Sequence, residues 1–565
     1  MERLSELTLR HVLERSLGLH GDRPALGWVE GEVLSYAQVG VRVKQVQRLL
    51  LQSGFRPGDR VAICGENMPN WGVAFFAATS MGGVAVPILT DFQPGAIRNI
   101  LKHSGARVLL VSRRLCDKIK GLDGTNVRAC ILLDDFTPVV RNQGGDPCTE
   151  KFRPCQAFPR DESGGMDVSV PGGDGERVRE QDTATIIYTS GTTGSSKGVM
   201  LSHRNVVFGA LSANAIGRVG SSDRMLSILP LAHVYECTLG LVIPFLQGAP
   251  VYYLDKPPTA RVLLPALQRV RPTTMLSVPL VIEKIYKSRV HKELNRNRLL
   301  RLLGSAMPTR KLLHRMAGRK LRASFGGKLR FFGIGGAALA PEVERFLREA
   351  GFPYAIGYGL TECSPLVAGS NRHTTRLRRI GRAVPGVGIR IKDPDPVTGV
   401  GEVQVRGDNV MQGYYREPGL TREAFTEDGW FRTQDLGVVD GDNYLQLRGR
   451  IKNIILGPSG ENIYPEEIET ICTQNPYTLD CLVYAVDNKL CMRVHLDYER
   501  LNELFAQLRV GRDHVGEHVR DLLEKLRQEV NSKVATFCRV HHIFEQREPF
   551  EKTPTKKIKR YLYVG

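Results

Sequence analysis

RVAICGEN (60–67), WGVAFFAATSMGG (71–83), VAVPIL (84–89) and RVLLVS (107–112) follow one another along the chain, and their order decides the fold class. The first, third and fourth are short apolar runs of the kind that fill core strands, and the second is an apolar stretch of helical length. Strands separated by helical stretches predict a parallel α/β architecture. Trp71 to Thr90 carries no charge and has the length of a membrane span. Gly82–Gly83 and Pro87 interrupt it where the strand begins, so a buried helix running into a core strand is expected and no transmembrane segment is.

Outward from that centre, 565 residues exceed one ordinary core, which predicts two or more domains. Hydrophobic content of 42% and charged content of 24% exclude a mostly disordered, collagen-like or coiled-coil chain. The opening MERLSELTLRHVLERSLG (1–18) lacks the basic-then-apolar order of a signal peptide. The 11 cysteines are odd in number and never spaced CxxC, which argues against a disulfide scaffold or a zinc ribbon and suits a reducing cytosol. A cytoplasmic enzyme, peripheral on the inner face of the membrane at most, is the expectation. The net charge of +19 suggests an acidic partner without naming it, and no recognition motif supports nucleic acid.

Residues 141–180 are rich in Gly, Pro, Asp and Arg and read as an irregular surface insert. Between Lys284 and Arg330 there are 15 Lys/Arg and one acid, Glu293, interleaved with leucines. That pattern reads as basic amphipathic helices, either a solvated pair or a surface for anionic headgroups or an acidic protein. After about Arg450 the runs CLVYAVD and CMRVHLD, a helical stretch at 513–533 and RVHHIFE predict a small α+β domain. The expected division is 1–449 and 450–565.

Thr185 to Lys197 reads TIIYTSGTTGSSK: a β-rich run ending in a hydroxyl- and glycine-rich loop with one lysine, with a helix-like stretch starting near HRNVVFGALSA. Glycines let successive N–H groups converge, hydroxyls add donors and Lys197 adds a point charge, which suits a polyphosphate. It is not a Walker A loop, because GxxxxGK[ST] is absent. Further along come LPLAHVYE (229–236), GIGGAAL (333–339), YAIGYGLTECSP (354–365), WFRTQDLG (430–437), LRGRIKNIILGPSGENIYPEEIE (447–469) and EPFEKTPTKKIKRYLY (548–563). Two glycine-rich turns let backbone approach a flat ring, and a tyrosine can stack on it.

YTSGTTGSSKGVMLSH (188–203) resembles the phosphate signature of the acyl-adenylate-forming superfamily, and the other segments resemble its further signatures in order, from about Leu34 to Arg560. The wording around His233 is closest to long-chain fatty acid–CoA ligases. The resemblance implies a large N-terminal domain of parallel α/β subdomains and a small mobile α+β C-terminal domain. It implies that Thr189, Ser190, Gly191, Thr192, Thr193, Gly194 and Lys197 hold the ATP phosphates, and that His233 lines the acyl pocket near the carboxylate. Gly336 and Ala337 would line adenine, Tyr358 beside Gly359 would stack on it, Thr361 would contact phosphate and Glu362 would bind Mg²⁺. Asp435 would take the ribose hydroxyls and Arg450 the nucleotide. Lys452 would be the hinge, the loop bearing Gly457 and Gly460 would serve the thiol step, and Lys557 would be the catalytic lysine. Its neighbour Lys556 stands where glycine is usual, which leaves open whether the two share that role. The implied reaction joins a fatty acid to CoA through an acyl-adenylate; an acyl carrier protein is the alternative acceptor.

Overall fold

The computed structural model describes residues 4–119, 122, 124–139, 178–190, 196–294, 307–457, 461–487, 489–507, 514–553 and 557–564. The predicted insert therefore lies outside the described residues except for 178–180, as do 295–306 of the basic segment.

The deciding stretch folds as its pattern dictates. Strands Arg60–Cys64 and Val84–Ile88 lie side by side in parallel, with Val61 opposite Ala85, and helix Pro69–Ser80 crosses between them. Every residue of that helix is buried, and Trp71 stacks on Phe75 with ring centroids 5.7 Å apart. Its uncharged character thus serves a helix enclosed by protein. Among the described residues no helix is long and apolar enough to cross a membrane.

Those strands belong to an eight-stranded sheet whose five central strands run parallel: Thr183–Ser190, Val84–Ile88, Arg60–Cys64, Val108–Val111 and Ala129–Leu132. A nine-stranded sheet follows, with six parallel strands ending in Phe331–Ile334 and Tyr354–Gly359. Both sheets carry antiparallel strands at their edges.

A third sheet was not anticipated. Val387–Lys392, Gly401–Gly407, Phe431–Val439 and Leu445–Arg450 form a wholly antiparallel layer between the parallel sheets and the C-terminal region in chain order. Beyond it, Thr478–Val486, Lys489–Leu496 and His542–Glu545 form a small sheet backed by helices Pro465–Cys472 and Val515–Asn531. Ile468, Cys472, Met492, Leu523 and Val530 give that α+β unit a core of its own. The molecule is mixed α/β, with parallel sheets in its larger part.

Candidate active site

The TSGTTGSSK stretch is a hairpin. Strands Thr183–Ser190 and Ser196–Ser202 are antiparallel, with Thr189 opposite Lys197 and Ser190 opposite Ser196. Sequence reading passed from the loop to a helix; the structure inserts a strand first, and the helix His203–Gly217 begins after a capping box between Ser202 and Asn205. Gly191, Thr192, Thr193 and Gly194 lie outside the described residues. Lys197 places its ammonium 5.2 Å from the centre of the Tyr414 ring. Tyr414 comes from a short strand paired beside Ser196–Ser202, and its hydroxyl donates to Glu362 Oε1 at 3.1 Å. The hairpin is thereby joined to the GYGLTE segment through a tyrosine that sequence reading did not single out.

Strands Phe331–Ile334 and Tyr354–Gly359 are parallel neighbours, so the turns that follow them emerge at the same carboxyl edge. Gly336 has φ +87°, the left-handed region that favours glycine. A Cβ on Gly359 would sit 1.7 Å from the carbonyl oxygen of Pro365, so the chain can fold back there only without a side chain. The fold-back presents Thr361, which is buried, and Glu362 on one 3₁₀ turn. Among the described residues no three His, Cys, Asp or Glu cluster to cage a metal. One carboxylate beside a hydroxyl donor fits Mg²⁺ held jointly with phosphate oxygens, the usual manner of that ion.

Tyr358 is buried, and its hydroxyl donates to Asp435 Oδ2 at 2.7 Å. Arg450 faces the other carboxylate oxygen, with Nε 2.9 Å from Oδ1. His233 caps a short helix, its Nδ1 accepting from the backbone N–H of Tyr235 at 3.2 Å. Burial, assisted by the charge of Lys557, pulls the His233 imidazole down to about 4, so the ring is neutral near pH 7.

Lys557, from the far end of the chain, lines the same cleft as His233. Lys557 is exposed to the open cleft, yet the protein crowded around its ammonium desolvates it and lowers it from the ordinary lysine value, with Arg450 the next influence, against the opposing pull of Asp435 and Glu362. The segment is pinned from behind. Lys557 donates its backbone N–H to Thr553 Oγ1 at 3.2 Å and accepts from the Thr553 N–H at 2.7 Å. Arg560 grips both oxygens of Glu469 at 2.5 Å and donates to the Val483 carbonyl at 3.2 Å. Glu469 is buried deeply enough that its carboxyl is pushed up to about 7 even beside that guanidinium. The sequence resemblance gave neither Arg560 nor Glu469 a role of its own; the acidic PEEIE run carried the signal for the latter.

One cleft of about 3070 Å³ gathers Thr189, Lys197, His233, Gly336, Ala337, Tyr358, Gly359, Thr361, Glu362, Asp435, Arg450, Lys452 and Lys557. Its lining also includes Ala213, Val219, Leu239, Ile243, Leu276 and Phe331, an apolar set suited to a hydrocarbon chain. Lys452 stands exposed on the 3₁₀ turn Ile451–Asn453. Gly457 is not among the cleft residues; it adjoins the outer hairpin of Ile455–Leu456 and Asn462–Ile463. Gly460 and Lys556 lie outside the described residues.

The chain resembles known proteins along its length. It is 27% identical to fatty acyl-CoA synthetase A of Dictyostelium discoideum over 587 aligned positions, covering 97% of this chain and 85% of that protein. It is 32% identical to the long-chain-fatty-acid–CoA ligase FadD15 of Mycobacterium bovis over 473 positions, covering 79% and 74%. Among solved structures, ATP-bound MatB from Rhodopseudomonas palustris superimposes with a TM-score of 0.74 at 22% identity, covering 99% of this chain and 98% of that one, which shows a shared fold. The profile of the family described as AMP-binding enzyme matches residues 13–415, and the chain belongs to that family.

Proposed function

We propose that this protein is a long-chain fatty acid–CoA ligase that works through an acyl-adenylate. The observation that carries the reading is the meeting of Lys557 with Glu362, Asp435 and His233 in one cleft whose lining is charged in part and apolar in part. The relatives' names support the acyl-CoA ligase class.

In the first step a carboxylate oxygen of the fatty acid attacks the α-phosphorus of ATP, and the bond to the β-phosphate bridging oxygen breaks to release pyrophosphate. Both partners are anions, so the enzyme's work is positioning and charge neutralisation. Lys557 supplies a cation there, and Lys197 with the 189–194 loop supplies donors for the departing pyrophosphate. Tyr358, Gly336 and Ala337 receive adenine, Thr361 contacts phosphate, and Asp435 and Arg450 receive the ribose side of the nucleotide. Neutral His233 stands by the fatty carboxylate without adding charge. Glu362 would hold Mg²⁺, which supplies further neutralisation of phosphate charge. In the second step the thiolate of CoA attacks the acyl carbon and AMP leaves. The 450–565 unit turns about Lys452 between steps, withdrawing Lys557 and bringing up the loop that contains Gly457 and Gly460. A need for ATP and CoA supports a cytoplasmic location.

Pyrophosphate release across fatty acids of increasing length, with CoA present and absent, tests the reading. Release that peaks on long chains, with thioester formed only when CoA is supplied, is expected. No release with any fatty acid, or thioester formed on acyl carrier protein in preference to CoA when both are offered, would overturn it.

A further inference from the structure

The basic segment carries a second surface, away from the ATP-binding residues. Helix Met307–Ser324 turns His314, Gly318 and Leu321 inward. Two of its side chains meet the same acid there: Arg310 pairs with Glu349 at 3.0 Å and His314 with Glu349 at 2.8 Å. This fixes which side faces solvent. On that side Leu312 is 60% exposed and Met316 54%, with Met307 at 60% near the start of the helix.

The outward residues are ordered. Leu312, Met316, Arg319 and Ala323 stand at i, i+4, i+7 and i+11 and form one line along the helix. Lys311, Arg315 and Arg322 form the adjacent line, and all seven are exposed. The acids nearby are already engaged, Glu349 with Arg310 and Glu293 with Lys320. Among the described residues no carboxylate pairs with Lys311, Arg315, Arg319 or Arg322.

We propose that this helix docks on an anionic lipid bilayer, with its cations at the headgroup phosphates and Leu312 and Met316 entering the acyl boundary. Cations alone would suit any polyanion. Large apolar side chains interleaved with them fit an interface in which charge and hydrocarbon lie a few ångströms apart. Nucleic acid offers no such apolar layer beneath its phosphates. The helix also sits beside the cleft. Phe346 touches His314 of the docking helix and Tyr286 of the adjacent helical stretch, with ring centroids 5.1 Å apart in both contacts. Leu280 and Lys284, on the helix that runs into Tyr286, line the cleft. If the long-chain reading holds, docking would bring the rim of the cleft to the surface where such a substrate partitions; the docking itself does not depend on that reading.

Flotation of the purified full chain tests this with vesicles of phosphatidylcholine alone and of phosphatidylcholine mixed with phosphatidylglycerol. The wild type is expected on the mixed vesicles only, and salt should release it. Lys311→Glu/Arg315→Glu/Arg319→Glu should weaken binding by about a hundredfold or more, each cation near such a surface contributing roughly fivefold. Leu312→Ser/Met316→Ser should weaken it by about tenfold while leaving the salt dependence in place. Lys311→Gln/Arg315→Gln/Arg319→Gln removes the same three cations without adding acids and should still lose about a hundredfold, which keeps the test open should the glutamates lower the melting temperature. Absence of wild-type binding, equal binding to both vesicle types, or charge variants that float like the wild type would overturn the proposal. So would a triple variant that loses binding to an acidic acyl carrier protein yet keeps its vesicle binding. Flotation reads no turnover, so its failure is distinguishable from failure of the proposed ligase activity.

Discussion

Arg450 and Asp435 stand opposite each other across the hairpin of Phe431–Val439 and Leu445–Arg450, with Nε 2.9 Å from Oδ1. The second oxygen of the same carboxylate takes the Tyr358 hydroxyl at 2.7 Å. Asp435 is thus held in one orientation by a residue of the nine-stranded sheet and by another two places before Lys452. A carboxylate fixed in this way can present itself to a pair of hydroxyls without first reorganising. Asp435→Asn keeps the size and removes the charge. Charge-assisted hydrogen bonds contribute about 1.5–3 kcal/mol, so KM for ATP should rise roughly ten- to hundredfold with a smaller change in kcat. Initial-rate kinetics against ATP check this, and an unchanged KM would remove the nucleotide role.

Tyr358→Phe separates structure from binding. Burial, with Asp435 adding to it, raises the phenol well above its ordinary value, so the hydroxyl is a donor at every working pH. Removing it leaves Asp435 Oδ2 without that buried donor, at a cost of about 1–3 kcal/mol. A lowered melting temperature is expected even without nucleotide; equal melting curves would count against the bond.

The Lys557 ammonium carries a pH prediction. Its pKa lies below the ordinary lysine value of 10.5, through desolvation by the cleft walls and then through Arg450. The cation is present below that pKa and is lost as pH rises through it, so ATP–pyrophosphate exchange should fall along an alkaline limb that begins early for a lysine. Lys557→Gln should abolish the limb and slow exchange by roughly 10²–10³. Conversion of preformed acyl-adenylate to thioester should be spared. Arg450→Gln removes one lowering influence and should move the limb upward. An alkaline limb that persists in Lys557→Gln would assign it to another group.

His203 makes the opposite kind of prediction, about stability and not rate. Burial lowers its imidazole from 6.5 to about 4; its Nδ1 accepts from the Leu9 backbone N–H at 3.1 Å, and its Nε2 has no partner among the described residues. Between those two pH values the unfolded chain binds a proton that the folded chain refuses. Stability should therefore fall as pH drops from 6.5 toward 4, by a few kcal/mol in all. His203→Gln offers Leu9 an amide oxygen and cannot titrate, so its melting temperature should vary less between pH 7 and pH 5. Parallel curves for the two proteins would contradict the assignment.

What the sequence made legible was local. The Pro69–Ser80 helix and the Val84–Ile88 strand follow from an uncharged run broken by two glycines, and GIGGAAL and GYGLTE reach the cleft because each lies at the carboxyl end of a parallel strand. What it hid depends on register between distant strands. Tyr358 and Asp435 are 77 residues apart and Glu362 and Tyr414 are 52 apart, and no local period encodes either meeting. Ser196–Ser202 escaped notice because SKGVMLS alternates weakly and contains glycine, and its strand character comes from pairing with Thr183–Ser190. The antiparallel sheet of residues 387–450 was hidden for a similar reason: charged and glycine residues break up its apolar positions.

Arg560 and Glu469, 91 residues apart, bear on how Lys557 is aimed. Arg560 stands three residues beyond Lys557, and its bidentate grip on Glu469 fixes that segment against the Thr478–Val486 strand. Arg560→Ala would leave a buried carboxylate unpaired, at a cost of about 3–5 kcal/mol in the C-terminal unit. The Glu469 carboxyl already sits at about 7 instead of 4.5, because burial outweighs the guanidinium, and without Arg560 it rises further. A folded-state value above the unfolded one means the folded chain binds the extra proton. That contribution is fully present below 4.5 and is lost as pH rises through the folded value, so the deficit of Arg560→Ala should be smaller at pH 5 than at pH 8. Stability alone does not make Arg560 a positioning residue. At a temperature where the variant is fully folded, ATP–pyrophosphate exchange should still be slowed while thioester formation from preformed acyl-adenylate is not, and Arg560→Lys should restore part of the exchange. Equal losses in both half-reactions, tracking the unfolded fraction, would reduce the pair to a structural tie.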